Sequence, residues 1–84
     1  MTREELYNCF LDGVPLRYTV DSMPGAMFYA AKISAYIERK IGDEITASAE
    51  IIDPNGWACY VVPARNAHRL SLMEQVRFRK EYLK

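Results

Sequence analysis

The 84-residue sequence has no long hydrophobic run, only one histidine, two cysteines and four scattered glycines. The uncharged stretch at residues 22–31 contains Pro24 and Gly25 and is far shorter than the roughly 20 apolar residues of a membrane-spanning helix. We therefore predict no membrane span. The opening Met1-Thr2-Arg3-Glu4-Glu5 carries two acids and lacks the apolar core of a signal peptide, so we expect a cytoplasmic protein.

Histidine and cysteine are too sparse for a metal or catalytic motif. Cys9 and Cys59 belong to no Cys-x-x-Cys or Cys/His cluster with metal spacing. In a reducing cytosol both are most simply small buried hydrophobes, although the sequence leaves a disulfide between them open. His68 has no identifiable orienting partner, and no glycine-rich phosphate loop is present. We therefore predict no enzymatic activity, no cofactor and no metal site.

Charge is balanced overall but unevenly distributed. Residues 1–64 contain five basic and nine acidic side chains, whereas residues 65–84 contain six basic and two acidic ones. This asymmetry indicates an electrostatic partner, or else a short helix that is basic only to remain soluble. Because 84 residues suffice for one hydrophobic core, we predict a single domain spanning residues 1–84.

Two capping boxes predict where helices begin. Thr2-x-x-Glu5 starts a helix that runs to about Asp12, and Gly13 supplies the left-handed residue that ends it. Ser71-x-x-Glu74 starts a second helix, in which Phe78 and Tyr82 form an additional stripe. Helical spacing places these residues inward: Leu72, Met73, Val76 and Leu83. It places these outward: Arg77, Lys80, Glu81 and Lys84.

Apolar and polar residues alternate along much of the middle of the chain. Alternation predicts strands at residues 14–20 and 45–52. Residues 27–41 are ambiguous, because Ile33, Ile37 and Ile41 recur at helical spacing while the same segment also alternates. We favour a strand there, since the segment runs directly through Gly42 and Asp43 into the next alternating stretch. A helix at residues 27–41 is the alternative.

A tight turn and an apolar strand follow. Asp53-Pro54-Asn55-Gly56 matches a type I turn, and residues 57–62 are apolar on both faces, which predicts a central strand ended by Pro63. The predicted fold class is α+β, with an N-terminal helix, a four-stranded antiparallel meander resembling a small open barrel, and a basic C-terminal helix. The alternative order is α-β-α-β-β-α, with residues 27–41 helical.

Several segments resemble short uncharacterised cargo proteins of bacterial integrative and conjugative elements. These segments are Thr2-Arg3-Glu4-Glu5-Leu6-Tyr7-Asn8, Gly13-Val14-Pro15, Lys32-Ile33-Ser34-Ala35-Tyr36-Ile37, Ile45-Thr46-Ala47-Ser48-Ala49-Glu50-Ile51-Ile52-Asp53, Gly56 and Tyr60-Val61-Val62. The resemblance covers roughly residues 2–62, and the chain departs from that group at residues 23–27 and in its added basic helix. It implies strand rather than helix at residues 27–40, and it implies no activity.

These features lead to two functional hypotheses. The first is a non-enzymatic binding module, an accessory protein of a mobile genetic element that contacts nucleic acid or an acidic protein surface through its basic C-terminal segment. The residues expected to carry it are Arg65, Arg69, Arg77, Arg79, Lys80 and Lys84. The second is a protein-interaction or self-assembly module, most simply a homodimer, that buries an apolar sheet face. Its expected interface residues are Trp57, Tyr60, Phe78 and Tyr82.

Overall fold

Six strands are divided between two small sheets that share one hydrophobic core in the part of the chain that the structure describes. The computed structural model describes residues 1–53, 56 and 59–82, excluding the side chains of Cys59 and Tyr82. Its elements, in chain order, are α1 (Arg3–Asp12), β1 (Leu16–Tyr18), β2 (Phe28–Ala30), β3 (Lys32–Ile41), β4 (Glu44–Ile52), β5 (Cys59–Pro63), a 3₁₀ turn (Ala64–Asn66), β6 (Ala67–Arg69) and α2 (Leu72–Tyr82).

Both sheets are three-stranded and antiparallel. The first sheet has the order β2-β1-β6, and the second has the order β3-β4-β5. The predicted α+β class is therefore confirmed, but the four-stranded meander is not, because the strands are divided between two sheets. The C-terminal helix is present. Its basic character is slight, since Arg77, Arg79 and Lys80 are offset by Glu74 and Glu81.

Helix α1 begins and ends where its sequence predicts. The Glu5 N–H donates to the Thr2 hydroxyl at 3.1 Å, and the Thr2 N–H donates to the Glu5 carboxylate at 3.0 Å. Gly13 ends the helix with a φ of 63°, a conformation that costs glycine little because it has no Cβ. Leu6 and Cys9 are its buried residues, and α1 packs on β3 and β4 of the second sheet.

Acid is expected to weaken this capping box. The backbone N–H of Thr2, and then its hydroxyl, hold the pKa of Glu5 below its ordinary value of 4.5. A lowered pKa in the folded state means that the stabilisation is complete above about pH 4.5 and is lost as the pH falls through the folded-state pKa. In the Glu5→Gln variant, the thermal midpoint should therefore decrease less between about pH 6 and pH 3 than it does in the wild-type protein.

The control for this titration is Glu4→Gln, which removes the same charge from the same helical turn but leaves the capping box intact. Thermal unfolding followed by circular dichroism at each pH makes the comparison. Identical acid dependence in the Glu5 and Glu4 variants would contradict a role for the capping carboxylate.

Residues 28–30 and 32–41 form strands, so the helical alternative for residues 27–41 is wrong. The segment is two strands rather than one, because Ala31 separates β2 in the first sheet from β3 in the second. The Ala31 N–H donates to the Ile52 carbonyl at 2.8 Å, which ties this crossing to β4. A β-bulge between Ile33 and Ala35 then shifts the register, so that Ile33 and Tyr36 point to the same face.

Two tight turns connect the strands of the second sheet. Gly42 and Asp43 form a two-residue hairpin loop between Ile41 and Glu44, and Gly42 has the positive φ that such a loop needs at its first position. The Gly56 N–H donates to the Asp53 carbonyl at 3.0 Å, as the predicted four-residue turn requires. Pro54 and Asn55, which complete that prediction, lie outside the described residues.

Strand β5 lies at the edge of its sheet, which contradicts the predicted central position. Its one described strand partner is β4, and Pro63 is its last residue. Val62 points into the core, whereas Val61 is 62% exposed on the opposite face. The apolar residues on both faces of β5 therefore do not indicate two covering layers.

The core lies between α1, the inner face of the second sheet and the buried face of β1. Leu6, Leu16 and Ile51 are its largest fully buried side chains. Small side chains allow the layers of this core to approach closely. The buried alanines are Ala30, Ala47, Ala49 and Ala67.

Candidate interaction surface

Among the described residues, Phe78 and an ion pair of Glu74 connect helix α2 to the first sheet. The Phe78 side chain is only 2% exposed, and its ring lies 6.1 Å from that of Tyr29 on β2. Arg17 on β1, directly opposite Tyr29, contacts the Glu74 carboxylate at 3.5 Å. These contacts place the side of α2 that carries Glu74 and Phe78 against the sheet.

The side of α2 that was expected to be buried faces solvent. Leu72 and Met73 are each 79% exposed and Val76 is 66% exposed, so the predicted inward orientation is wrong for all three. The competing stripe, marked in the sequence by Phe78, supplies the buried contact instead. A large aromatic ring buries more apolar area than the shorter side chains do. Leu83, the fourth residue expected inward, lies outside the described residues.

Three basic side chains share the outward side of α2 with these apolar residues. Lys80 follows Val76 by one helical turn, while Arg77 and Arg79 lie toward the borders of the same side. All three are exposed. We call this surface the α2 arc and define it as Leu72, Met73, Val76, Arg77, Arg79 and Lys80.

The remaining predicted basic residues lie on other elements. Arg65 belongs to the 3₁₀ turn and forms an exposed ion pair with Asp21 at 3.2 Å. The Asn66 amide, with Arg65, lowers the pKa of the Asp21 carboxylate. Arg69 ends β6, opposite Leu16 on β1, and is exposed. Lys84 lies outside the described residues. The structure therefore distributes the basic segment over three elements, of which α2 carries three of its charges.

Phe78 and Tyr60, the two predicted interface aromatics whose side chains the structure describes, lie on different surfaces. Phe78 is buried beneath α2, whereas Tyr60 on β5 is 50% exposed. The Tyr60 ring lies 6.5 Å from that of Tyr18, which stacks on Phe28 at 5.5 Å. With Met23, these rings line a shallow apolar depression of about 360 Å³. Trp57 and the side chain of Tyr82 lie outside the described residues.

The reactive side chains are dispersed. Cys9 is a buried free thiol, and burial raises its pKa above the ordinary value. The side chain of Cys59, the other half of the disulfide that the sequence left open, lies outside the described residues. His68 lies on β6, opposite Arg17. Within residues 1–53, 56 and 59–82, no group of three or more His, Cys, Asp and Glu side chains could hold a metal ion. Over that same part of the chain, neither helix has the length and apolarity needed to cross a membrane.

Comparisons of this chain with protein-family models, curated proteins and solved structures found no match.

Proposed function

We propose that this protein is a non-enzymatic binding module that docks on an acidic protein partner through the α2 arc. The observation that carries the proposal is the exposure of Leu72, Met73 and Val76 on the same side of the helix as three basic residues. The resemblance to cargo proteins of integrative and conjugative elements supports a place as an accessory protein of a mobile element, acting in the bacterial cytoplasm.

The apolar part of the arc has the spacing of a helix that binds in a groove. Residues at positions i, i+1 and i+4 present one continuous strip, which is how amphipathic helices insert into apolar grooves of other proteins. Leaving three neighbouring aliphatic side chains in water is unfavourable by about 25 cal/mol for each Å² of apolar surface. Covering Leu72, Met73 and Val76 with a partner recovers that free energy.

The charged part of the arc defines the chemistry of the partner. Arg77, Arg79 and Lys80 border the apolar strip, so a matching groove would have carboxylates at its rim. Such rim charges mainly accelerate association and select the partner, while the apolar strip provides most of the affinity.

The attachment of α2 supports this role. Phe78 and the Arg17–Glu74 pair hold the inner side of the helix on the first sheet, which leaves the arc exposed in a fixed orientation. A helix that is already folded and oriented loses less conformational entropy on binding than a flexible segment does.

The test is quantitative affinity capture from the source cells, comparing the wild-type protein with a triple variant, Leu72→Ser, Met73→Ser and Val76→Ser. We expect at least one protein to be recovered at about tenfold lower levels with the triple variant, because three buried contacts are lost. Recovery should also fall when Arg77, Arg79 and Lys80 are all changed to Glu.

The control variant carries three serines at similarly exposed apolar positions elsewhere, Leu11, Ile41 and Val61. It should recover the partner at the wild-type level, and nuclease treatment of the lysate should not change the result. If no captured protein distinguishes the two triple variants, the arc is not the docking surface.

Nucleic acid is the second candidate partner, favoured by one observation. Arg77, Arg79 and Lys80 are exposed on one helix, and none of them belongs to an ion pair among the residues described. Stacking on bases would need another aromatic residue, because Phe78 is buried. Fluorescence anisotropy with single- and double-stranded DNA across a salt series tests this candidate. Binding that weakens steeply with salt and disappears on charge reversal at these three residues would favour it over a protein partner.

A further inference from the structure

Strand β4 extends beyond β5 and leaves part of its edge open. The pairing between them runs from Ser48 opposite Pro63 to Ile52 opposite Cys59. Residues 44–47 of β4 continue past that point, paired with β3 on one side and with no described strand on the other. The β3–β4 hairpin therefore projects as a two-stranded arm, with no described strand beside residues 44–47 of β4 or beside the outer edge of β3.

The register identifies which backbone groups this edge presents. Along a strand, the N–H and C=O groups of alternate residues point to the same side. The Ile52 carbonyl accepts from Ala31, on the β3 side, so the even-numbered residues of β4 direct their backbone groups toward β3. The backbone groups of Ile45 consequently face the open edge, where hydrogen-bonding partners are required. Ala47 is buried, next to the point where the chain leaves β5 for the 3₁₀ turn, and that turn contacts β4.

A groove of about 400 Å³ lies along this edge. Its lining includes Ile45, Ala47 and Pro63 together with the acidic Glu44 and the basic Arg3 and Arg65. Both arginines are engaged in exposed ion pairs, Arg3 with Glu38 at 3.9 Å and Arg65 with Asp21 at 3.2 Å. Exposed ion pairs of this kind are weak, so both guanidinium groups are able to donate hydrogen bonds to additional carboxylates.

The tip of the same arm carries the complementary charge. Asp43 and Glu44 are adjacent and exposed at the hairpin turn. They lie at the opposite end of the open stretch of β4 from Pro63 and Arg65. A surface that contains both an acidic tip and a basic groove is complementary to itself under twofold rotation. This charge distribution favours a second copy of the chain over an unrelated peptide as the occupant.

We propose that two copies of the protein associate through this edge, with their β4 strands antiparallel about a twofold axis that passes between the two Ile45 residues. Ile45 of one copy then exchanges two backbone hydrogen bonds with Ile45 of the other. Glu44 faces Thr46 of the second copy, so no like charges are opposed, and Asp43 reaches the end of β5 beside Arg65. The residues involved are separate from the α2 arc.

Sedimentation equilibrium of the wild-type protein and two lysine variants tests the proposal. Ile45→Lys places two ammonium groups side by side on the axis and is expected to raise the dimer dissociation constant about tenfold or more. Ile41→Lys makes the same chemical change at an exposed position on the β3 side of the arm, and it should leave the dissociation constant within about twofold of wild type.

A charge exchange keeps the proposal testable should Ile45→Lys fail to fold. Asp43→Lys alone and Arg65→Glu alone should each weaken the dimer, while the double variant Asp43→Lys/Arg65→Glu should restore it to within about threefold of wild type. A protein that remains monomeric up to about 1 mM overturns the proposal. So does a dimer that tolerates Ile45→Lys, shows no rescue by the double variant, or depends on Val76 instead.

Discussion

Leu6→Ala is expected to lower the free energy of unfolding by about 3 kcal/mol, within the range of about 2–5 kcal/mol for buried leucines. Leu6 is fully buried and attaches α1 to the second sheet, so its truncation leaves a cavity between two layers that cannot both close over it. A domain of this length has a stability of about 0.05–0.15 kcal/mol per residue, so the substitution removes roughly a quarter of the total or more.

Urea denaturation followed by tryptophan fluorescence and circular dichroism measures this loss. Leu11→Ala is the matched control, because it removes the same atoms from an exposed position of the same helix. It should change the free energy of unfolding by no more than about 0.5 kcal/mol. Equal losses in the two variants would show that α1 is not attached through Leu6.

The second large effect is expected from Phe78→Ala, which should detach α2 from the first sheet. Removing a buried aromatic ring typically costs about 3–5 kcal/mol. Here the Arg17–Glu74 pair is a second described contact between α2 and the first sheet, and a partly exposed ion pair contributes about 1 kcal/mol or less. An isolated helix of 11 residues is marginal in water, so α2 should unfold once it is released.

Amide hydrogen exchange distinguishes local unfolding of α2 from unfolding of the whole domain. In the Phe78 variant, amides of residues 75–82 should exchange much faster than in wild type, while those of β3 and β4 should keep most of their protection. Val76→Ala serves as the control because Val76 lies on the same helix but is mostly exposed. Uniformly faster exchange throughout the chain would mean instead that α2 and the sheets unfold together.

Local signals explain why the helix ends and turns were predictable. The capping boxes at Thr2 and Ser71 and the left-handed Gly13 depend on residues at most four positions apart, and all three are present in the structure. Such features are determined by backbone groups that must find a nearby partner. Tertiary packing has little opportunity to change them.

Sheet membership was not predictable, because it depends on distant pairings. The bulge near Ser34 reverses the alternation of β3, so that Ile33 is buried while Ile37 and Ile41 belong to the opposite face. Strict alternation along the segment, without a bulge, would place Ile33, Ile37 and Ile41 on the same face of the sheet. Likewise, no local feature reveals that Ala31 is a crossing between sheets, since its hydrogen bond is to Ile52.

Exposed apolar residues account for the other errors. In a chain this short, surface is large relative to volume, and much apolar surface stays in contact with water. Val61 and the three aliphatic residues of the α2 arc are therefore hydrophobic without being core. Sequence reasoning did place Arg77 and Lys80 outward, but it assigned their apolar neighbours to the interior.

The two crossings between sheets also restrict how the protein can move. Ala31 alone links β2 to β3, and the 3₁₀ turn Ala64–Asn66 links β5 to β6. Both links are short, so the distance between the two sheets cannot increase much while their strands remain paired. The β3–β4 arm and α2, which carry the two proposed binding surfaces, are therefore attached to one frame and keep their positions relative to each other.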